Sequence, residues 1–233
     1  MAAVARISPL EVALSDVCFC HFPVEPTALT RRLPEWLTVE TIDGDAWVSA
    51  IPHTVAGVES FGLDLTRPAD AVNVRTYVRG PNARRGLYFH ALYTEDSFTS
   101  ETASRVLRLP YRRGDLDSSR ESARTRWRTL ETGSECVFDV RYTVDDGDAR
   151  TAPPDSLAHF LIERDRYFTS GTLGVSLSGS VGRDPWLLKS VDASVAGDLL
   201  SNLGLPPATG PPLVHYSSGT TMAVEPPLPL SVA

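Results

Sequence analysis

The chain has 233 residues, a hydrophobic fraction of 42% and a net charge of −7 at pH 7. This length and apolar content suffice for one large β-rich domain or two small ones with a real core. The acidic balance disfavours nucleic acid and anionic membrane surfaces as main partners, because both are themselves negatively charged.

The cellular compartment is predicted from what the chain lacks. Arg6, Pro9, Glu11 and Asp16 interrupt the N-terminal region, so we expect no secretory leader, and no stretch approaches the ~20 apolar residues of a membrane span. An odd count of three cysteines is typical of reduced thiols. We therefore predict a cytoplasmic protein with no membrane association.

The first half of the chain is predicted to alternate short strands with one or two helices. Residues 26–33 indicate a helix that begins at a proline and ends before another, and residues 46–51 an apolar strand. Residues 72–78 alternate strictly, with Val72 and Val74 on one face and Asn73, Arg75 and Tyr77 on the other. Residues 87–93 are predicted to pair with that strand as a hairpin, and residues 97–107 to form a helix.

The second half continues the same pattern. A hairpin is predicted from residues 123–130 and 136–144, and a helix over 154–164 with Asp155 or Ser156 as its cap. Residues 173–181 read as glycine-rich strand or loop, 193–203 as a helix ended by Gly204, and 213–216 and 220–224 as two short strands. We expect residues 1–225 to form one domain and 226–233 a proline-rich tail.

These elements predict an α+β fold dominated by an antiparallel sheet with a few peripheral helices. A strand with one apolar and one polar-aromatic face fits a sheet that curls around a polar cavity. It fits a half-exposed sheet equally well.

An ordered set of motifs resembles the YqjF-like proteins, an uncharacterised branch of the acetoacetate-decarboxylase-like superfamily. The motifs are DGDAWV at 43–48, NVRTYV at 73–78, RGLYF at 85–89, LPY at 109–111, LIER at 161–164 and HYSSG at 215–219. They cover nearly the whole chain. The resemblance implies a closed antiparallel β-cone or barrel with helices outside and a cavity within, but it implies no particular reaction.

Acetoacetate decarboxylation requires a lysine of depressed pKa that forms a Schiff base with the keto acid. Lys189 is the only lysine in the chain, and it stands outside the central strand motifs. We therefore do not expect Schiff-base lysine chemistry. Whether the chain is an enzyme at all is left open by the sequence.

The strand face that carries Asn73, Arg75 and Tyr77 is the best candidate ligand site. A guanidinium binds carboxylates through two parallel hydrogen bonds, and tyrosine adds a hydroxyl and a ring. If this face lines the cavity, it favours a small carboxylate. The alternative is a structural ion pair, with Glu163 as the partner of Arg75.

Four further residues are candidates for the same cavity. Glu163 or Tyr111 would transfer protons, and Tyr88 and His215 would contact the ligand. Each also has a purely structural explanation, as a salt bridge, an aromatic core residue or a hydrogen-bonded histidine.

Metal, cofactor and nucleic-acid sites are not predicted. Cys18 and Cys20 share one strand face but lack a second Cys/His pair, and no glycine-rich phosphate loop is present. Eight arginines between residues 105 and 128 are interrupted by acids and predict a solvated strand face.

Two functional hypotheses remain from the sequence. The first is a pocket protein that binds or transforms a small organic acid. The second is a non-enzymatic module whose motif residues only close the sheet, with exposed edges available for a homo-oligomer.

Overall fold

The computed structural model describes residues 10–95, 104–121, 124–131, 136–171 and 174–230. Fourteen strands form one continuous sheet. In chain order they are β1 Glu11–Val24, β2 Thr38–Val39, β3 Ala46–Ser60, β4 Leu63–Asp64, β5 Ala69–Arg79, β6 Arg85–Thr94, β7 Tyr111–Glu121, β8 Arg124–Glu131, β9 Cys136–Val144, β10 Arg166–Ser170, β11 Ser176–Gly182, β12 Val191–Ala196, β13 Leu213–Val224 and β14 Leu228–Pro229.

The helices are short and lie between the strands. They are α1 Pro26–Thr30, α2 104–107, α3 Leu157–Ile162 and α4 Leu199–Asn202, with a 3-10 turn at Pro81–Ala83. Ser156 caps α3 by accepting a hydrogen bond from the backbone N–H of His159 at 3.1 Å. None of the described helices is long and apolar enough to cross a membrane.

Seven strands close into a ring. β1 pairs with β3 and β13, β3 with β5, β5 with β6, β6 with β10, β10 with β11, and β11 returns to β13. We call these seven strands the ring. The β-dominated fold class is thus confirmed. Two pairings in the sheet are parallel, because β6 pairs in parallel with both β10 and β7. In each case the long connection that a parallel pair needs is present.

Strands β7, β8, β9 and β12 continue from β6 as an outer sheet. Its buried side chains, including Trp127 and Phe138, join one hydrophobic cluster with Cys18, Val72 and Val74 of the ring. A second cluster includes Phe19, Leu87, Leu161 and Trp186. Because residues of a strand alternate between its faces, β1, β3, β5, β6 and β13 contribute to both clusters. The second cluster lies inside the ring, and the first joins the ring to the outer sheet.

Cys18 and Cys20 lie on the face of β1 that meets the outer sheet. Both side chains are fully buried, and their sulfur atoms are 3.8 Å apart. Burial raises the pKa of the Cys18 thiol well above its usual value. Both are free thiols inside the hydrophobic core.

The strands that form the candidate site were the best predicted. β5 contains the predicted strand 72–78, and it pairs with β6 in the expected hairpin. Val72, Val74 and Thr76 are fully buried on one face, whereas Asn73 and Arg75 point to the other. The predicted hairpin between residues 123–130 and 136–144 is also confirmed, as β8 and β9.

The C-terminal third differs from the prediction. Residues 191–196 form an edge strand against β9 rather than the start of a helix, so that only Leu199–Asn202 is helical. Residues 213–224 form one strand, and Gly219 allows it to continue past Leu14 of β1. Gly219 adopts φ +133°, and a Cβ there would come within 2.0 Å of the Leu14 carbonyl oxygen. In the predicted tail, Leu228 pairs with Ser178 of β11. The predicted helix 97–107 lies largely outside the described residues, except for α2.

Candidate functional site

Two adjoining cavities lie inside the ring. The smaller has a volume of about 90 Å³ and the larger about 160 Å³. They meet at a set of shared lining residues: Leu14, His53, Asn73, Phe89, Tyr167, Val181 and Met222. The interior of the ring is therefore not completely filled by side chains.

The polar groups of the smaller cavity come from four parts of the chain. β5 supplies Asn73 and Arg75, β3 supplies His53, and the segments around α3 and β11 supply Arg164 and Arg183. β3 and β5 pair with Ile51 opposite Asn73 and Ala71 opposite His53, so the inward side chains of the two strands are neighbours.

Arg75 has no carboxylate partner among the described residues. Its Nη2 donates a long hydrogen bond of 3.4 Å to the Leu161 carbonyl oxygen, and its buried Nε has no hydrogen-bond partner. Burial lowers the pKa of the guanidinium from its usual value, and the nearby Tyr77 hydroxyl and Glu163 carboxylate oppose this shift only in part. Arg75 thus presents a poorly compensated charge to the smaller cavity.

The two other arginines of this cavity are paired. Arg183 Nη1 donates to Glu163 Oε2 at 2.8 Å, and its Nη2 donates to the Ile162 carbonyl oxygen at 3.1 Å. Arg164 Nη2 donates to the buried Glu40 Oε2 at 3.0 Å. These pairs fix the two guanidinium groups in the wall of the cavity, and they leave Arg75 as the unneutralised charge.

Glu163 does not form the ion pair with Arg75 that the sequence suggested as an alternative. Its Oε2 accepts from Arg183, and its Oε1 accepts from the backbone N–H of Trp186 at 2.9 Å. Because both carboxylate oxygens are occupied and Glu163 lines neither cavity, its position is that of a support for Arg183.

Tyr77 is completely buried beneath the cavities, and its hydroxyl is already engaged. It donates to the Leu161 carbonyl oxygen at 2.7 Å and lies 2.6 Å from Ser49 Oγ, which is 2.7 Å from His21 Nδ1. Since the carbonyl can only accept, Tyr77 accepts from Ser49, and Ser49 accepts from His21. This series of hydrogen bonds connects β1, β3 and β5 to the end of α3.

His53 was not singled out by the sequence. Its Nδ1 is 2.9 Å from the Ile51 carbonyl oxygen and therefore carries the proton, which leaves Nε2 as a hydrogen-bond acceptor. Burial lowers the pKa of His53 to about 4. His53 lines both cavities, so a neutral imidazole stands beside Asn73 where they meet. The register of β3 against β5 was the signal that could have placed His53 at the cavities.

The remaining sequence candidates are dispersed. Tyr111 lines the larger cavity, and burial raises its pKa to about 12, so its hydroxyl remains protonated. Tyr88 packs against Phe168 and Leu37 on the opposite face of β6 from Leu87 and Phe89. His215 lies against His21, with ring centroids 5.5 Å apart, and lines neither cavity.

Lys189 lines neither cavity. Its backbone forms an isolated bridge with Tyr216 of β13, next to the ring. The side chain is half-buried.

The arginine-rich segment lies on the outer sheet and mixes both signs of charge. Arg126 donates to Asp139 through two hydrogen bonds of 3.0 and 2.5 Å, and Arg141 donates to the same carboxylate at 3.2 Å. Glu121 and Asp192 lie beside these arginines. This face therefore has no uniform positive charge to follow a phosphate backbone.

Over the ranges that the structure describes, no group of three His, Cys, Asp or Glu side chains is arranged to hold a metal ion.

Comparison with known proteins gives one close family and several distant structural relatives. Uncharacterised protein YqjF from Bacillus subtilis (strain 168) is 27% identical over 208 residues, covering 87% of this chain and 85% of YqjF. The enduracididine biosynthesis enzyme MppR, solved in complex with pyruvate, superposes with a TM-score of 0.67 at 14% identity, over 98% of this chain and 93% of MppR.

An acetoacetate-decarboxylase-like enzyme from Sphingomonas wittichii RW1 gives a TM-score of 0.64 at 14% identity, over 99% of this chain and 96% of that enzyme. These structural likenesses establish an acetoacetate-decarboxylase-like fold, and at such identities they establish no activity. The resemblance to YqjF-like proteins is confirmed by a family match over residues 11–221, which includes the ring and the outer sheet. The chain therefore belongs to the DUF2071 family of uncharacterised conserved proteins.

Proposed function

We propose that this protein binds a small organic acid inside the ring, with the carboxylate held by Arg75 and Asn73. The observation that carries the proposal is the partly buried guanidinium of Arg75 at the smaller cavity. Its buried Nε has no hydrogen-bond partner, and the group has no carboxylate partner among the described residues. A buried charge without a partner is costly, so an anionic ligand would supply the missing interaction. The Asn73 side chain lines both cavities and adds an amide donor beside it.

The other polar groups of the cavity support an anion rather than a cation. Arg164 and Arg183 are each held in place and neutralised by a glutamate, so the uncompensated charge at the cavity is the positive charge of Arg75. His53 contributes a neutral Nε2, which can accept a hydrogen bond from a ligand hydroxyl. Tyr77 and Glu163 serve in this proposal as supports for the site rather than as ligand contacts.

Chemistry through a lysine Schiff base is not part of the proposal. Lys189, the only amine side chain, lines neither cavity. MppR, which shares this fold, is solved in complex with pyruvate, which carries a carboxylate. In this protein an arginine would recognise the carboxylate of the ligand.

The direct test is a thermal-shift screen of keto, hydroxy and dicarboxylic acids against wild type, Arg75→Met and Arg84→Met. Arg84 is exposed on the turn before β6, so its variant controls for the loss of one arginine. A ligand at one hundred times its Kd stabilises by about 2.7 kcal/mol, or roughly 5–10 °C for a chain of this size. We expect this shift in wild type and Arg84→Met but not in Arg75→Met. Equal shifts in all three proteins would contradict the role of Arg75.

Borohydride trapping with pyruvate or acetoacetate tests the statement about lysine. We expect no covalent adduct. A stable adduct at Lys189, detected by mass spectrometry, would show that the amine reaches the ligand after all.

The alternative, a non-enzymatic interaction module, has one observation in its favour. Phe61, Leu63 and Leu65, on and beside the turn between β3 and β4, are 72%, 66% and 56% exposed. Exposed large apolar groups are typical of contact surfaces. However, that alternative also requires a filled interior and an internally paired Arg75. The structure has cavities there, and among the described residues no carboxylate forms an ion pair with Arg75.

A further inference from the structure

The two cavities differ sharply in chemistry. The smaller one carries the three guanidinium groups of Arg75, Arg164 and Arg183. The larger one is enclosed mainly by aliphatic side chains, among them Val12, Val55, Leu92, Leu107, Leu109 and Val224. Since His53, Asn73 and Phe89 line both, a single molecule can occupy both at once.

We propose that the ligand is an amphipathic monocarboxylate, whose hydrocarbon tail fills the larger cavity while its carboxylate meets Arg75. This inference rests on the proposed function and adds the class of acid. It is carried by the continuity of a charged and an apolar compartment within one ring. A polar acid of three or four carbons would occupy only the smaller compartment and leave the aliphatic one empty.

The size of the larger cavity limits the tail. An apolar protein cavity of about 150 Å³ is large enough to bind benzene. The larger cavity, at about 160 Å³, therefore accepts a tail of roughly six carbons, either as a chain or as a ring.

The lining also fixes the direction of the ligand. Exposed Arg67 and half-buried Val58 line the larger cavity but not the smaller one, so the larger cavity is the one that reaches the surface there. The tail therefore lies toward the surface, and the carboxylate lies deep. The Tyr111 hydroxyl faces the tail compartment and offers one donor to an oxygen substituent on the chain.

The test is a calorimetric titration of straight-chain monocarboxylates from two to ten carbons, below their micelle concentrations. Each methylene buried in the larger cavity should tighten binding about fourfold, which corresponds to about 0.8 kcal/mol. We expect the affinity to rise with length until the cavity is full and then to level off.

Ala71→Leu is the variant that fills the tail compartment, because buried Ala71 lines only the larger cavity. It should bind two- and three-carbon acids as wild type does, and it should lose the gain for longer chains. Ala196→Leu, on the exposed face of the edge strand β12, is the matched control and should follow wild type. If Ala71→Leu does not fold, Val58→Trp at the surface end of the cavity gives the same readout.

The outcomes separate the two proposals. Binding that depends on Arg75 but not on chain length would overturn the amphipathic ligand and leave the acid site standing. Unchanged length dependence in a folded Ala71→Leu protein would overturn it as well. If acids of no length bind, the proposed function itself fails.

Discussion

At the scale of single residues, the free-energy cost of desolvating the Arg75 charge distinguishes a ligand-binding role from a structural one. The Arg75 guanidinium is partly buried, donates a long hydrogen bond of 3.4 Å and has an unpartnered Nε, so it contributes little to stability and carries a desolvation penalty. A purely structural arginine would be paired, as Arg164 is with Glu40. The two roles therefore predict opposite effects of removing the charge.

We expect Arg75→Met to raise the free energy of unfolding of the ligand-free protein by about 1–2 kcal/mol, because a similar apolar volume replaces an uncompensated charge. Urea denaturation measures this directly. A matched Arg164→Met variant removes the partner of the buried Glu40 Oε2, while Arg79 and Arg85 still pair with Oε1, and it should destabilise the protein instead. A loss of several kcal/mol in Arg75→Met would show that the arginine supports the fold.

At the scale of elements, a close approach between β10 and β11 sets the position of a tyrosine ring in the cavity wall. Tyr167 of β10 lies opposite Gly179 of β11, and a Cβ on Gly179 would come within 2.3 Å of the tyrosine ring. The ring lines both cavities, and its hydroxyl donates to the Glu225 carbonyl oxygen at 2.9 Å. Gly179 is thus required for the position of the ring rather than for an unusual backbone angle.

Gly179→Ala should destabilise the protein by about 1–3 kcal/mol, since the new methyl group overpacks against an aromatic ring. Gly182→Ala in the same strand is the control, because its Cβ would meet nothing closer than 3.9 Å. Thermal unfolding of the two variants checks the prediction. Equal melting temperatures would mean that Tyr167 moves aside at little cost.

The elements also show what the sequence could predict. Strict alternation over residues 72–78 was sufficient to identify β5 and the side that carries Arg75, because period-two patterning is a local property. The role of His53 depends on the pairing of β3 with β5, and the pairing of Arg183 with Glu163 joins residues 20 apart across β10 and β11. Such contacts are set by tertiary structure, which the local pattern of a single sequence does not reveal. The helix predicted over residues 193–203 was wrong at its start because Val191, Ala193 and Val195 pack against the core cluster with the period of a strand.

At the scale of the whole molecule, four histidines share one electrostatic situation. Burial lowers the pKa of His53 and His90 to about 4, and it lowers those of His21 and His215 as well. In the unfolded chain these groups titrate near 6.5. Between these values the unfolded state binds more protons than the folded state, so stability is greatest above pH 6.5 and falls as the pH decreases toward 4.

His53 alone should account for a loss of about 2 kcal/mol between pH 7 and pH 5. His53→Gln removes this contribution, so the variant should lose correspondingly less stability than wild type over the same interval. Urea denaturation at the two pH values gives the comparison, and His159→Gln, on α3, serves as the control. Parallel pH profiles for wild type and His53→Gln would contradict the lowered pKa.

The pair of cysteines between the ring and the outer sheet has a practical consequence. Cys18 and Cys20 are fully buried within the cluster that joins the two layers, so a thiol reagent reaches them only when β1 and the outer sheet come apart. In a Cys136→Ser variant, the rate of alkylation would therefore measure how often the two layers separate under native conditions. Comparing that rate with and without a bound acid would reveal whether occupancy of the interior also restrains the layer outside it.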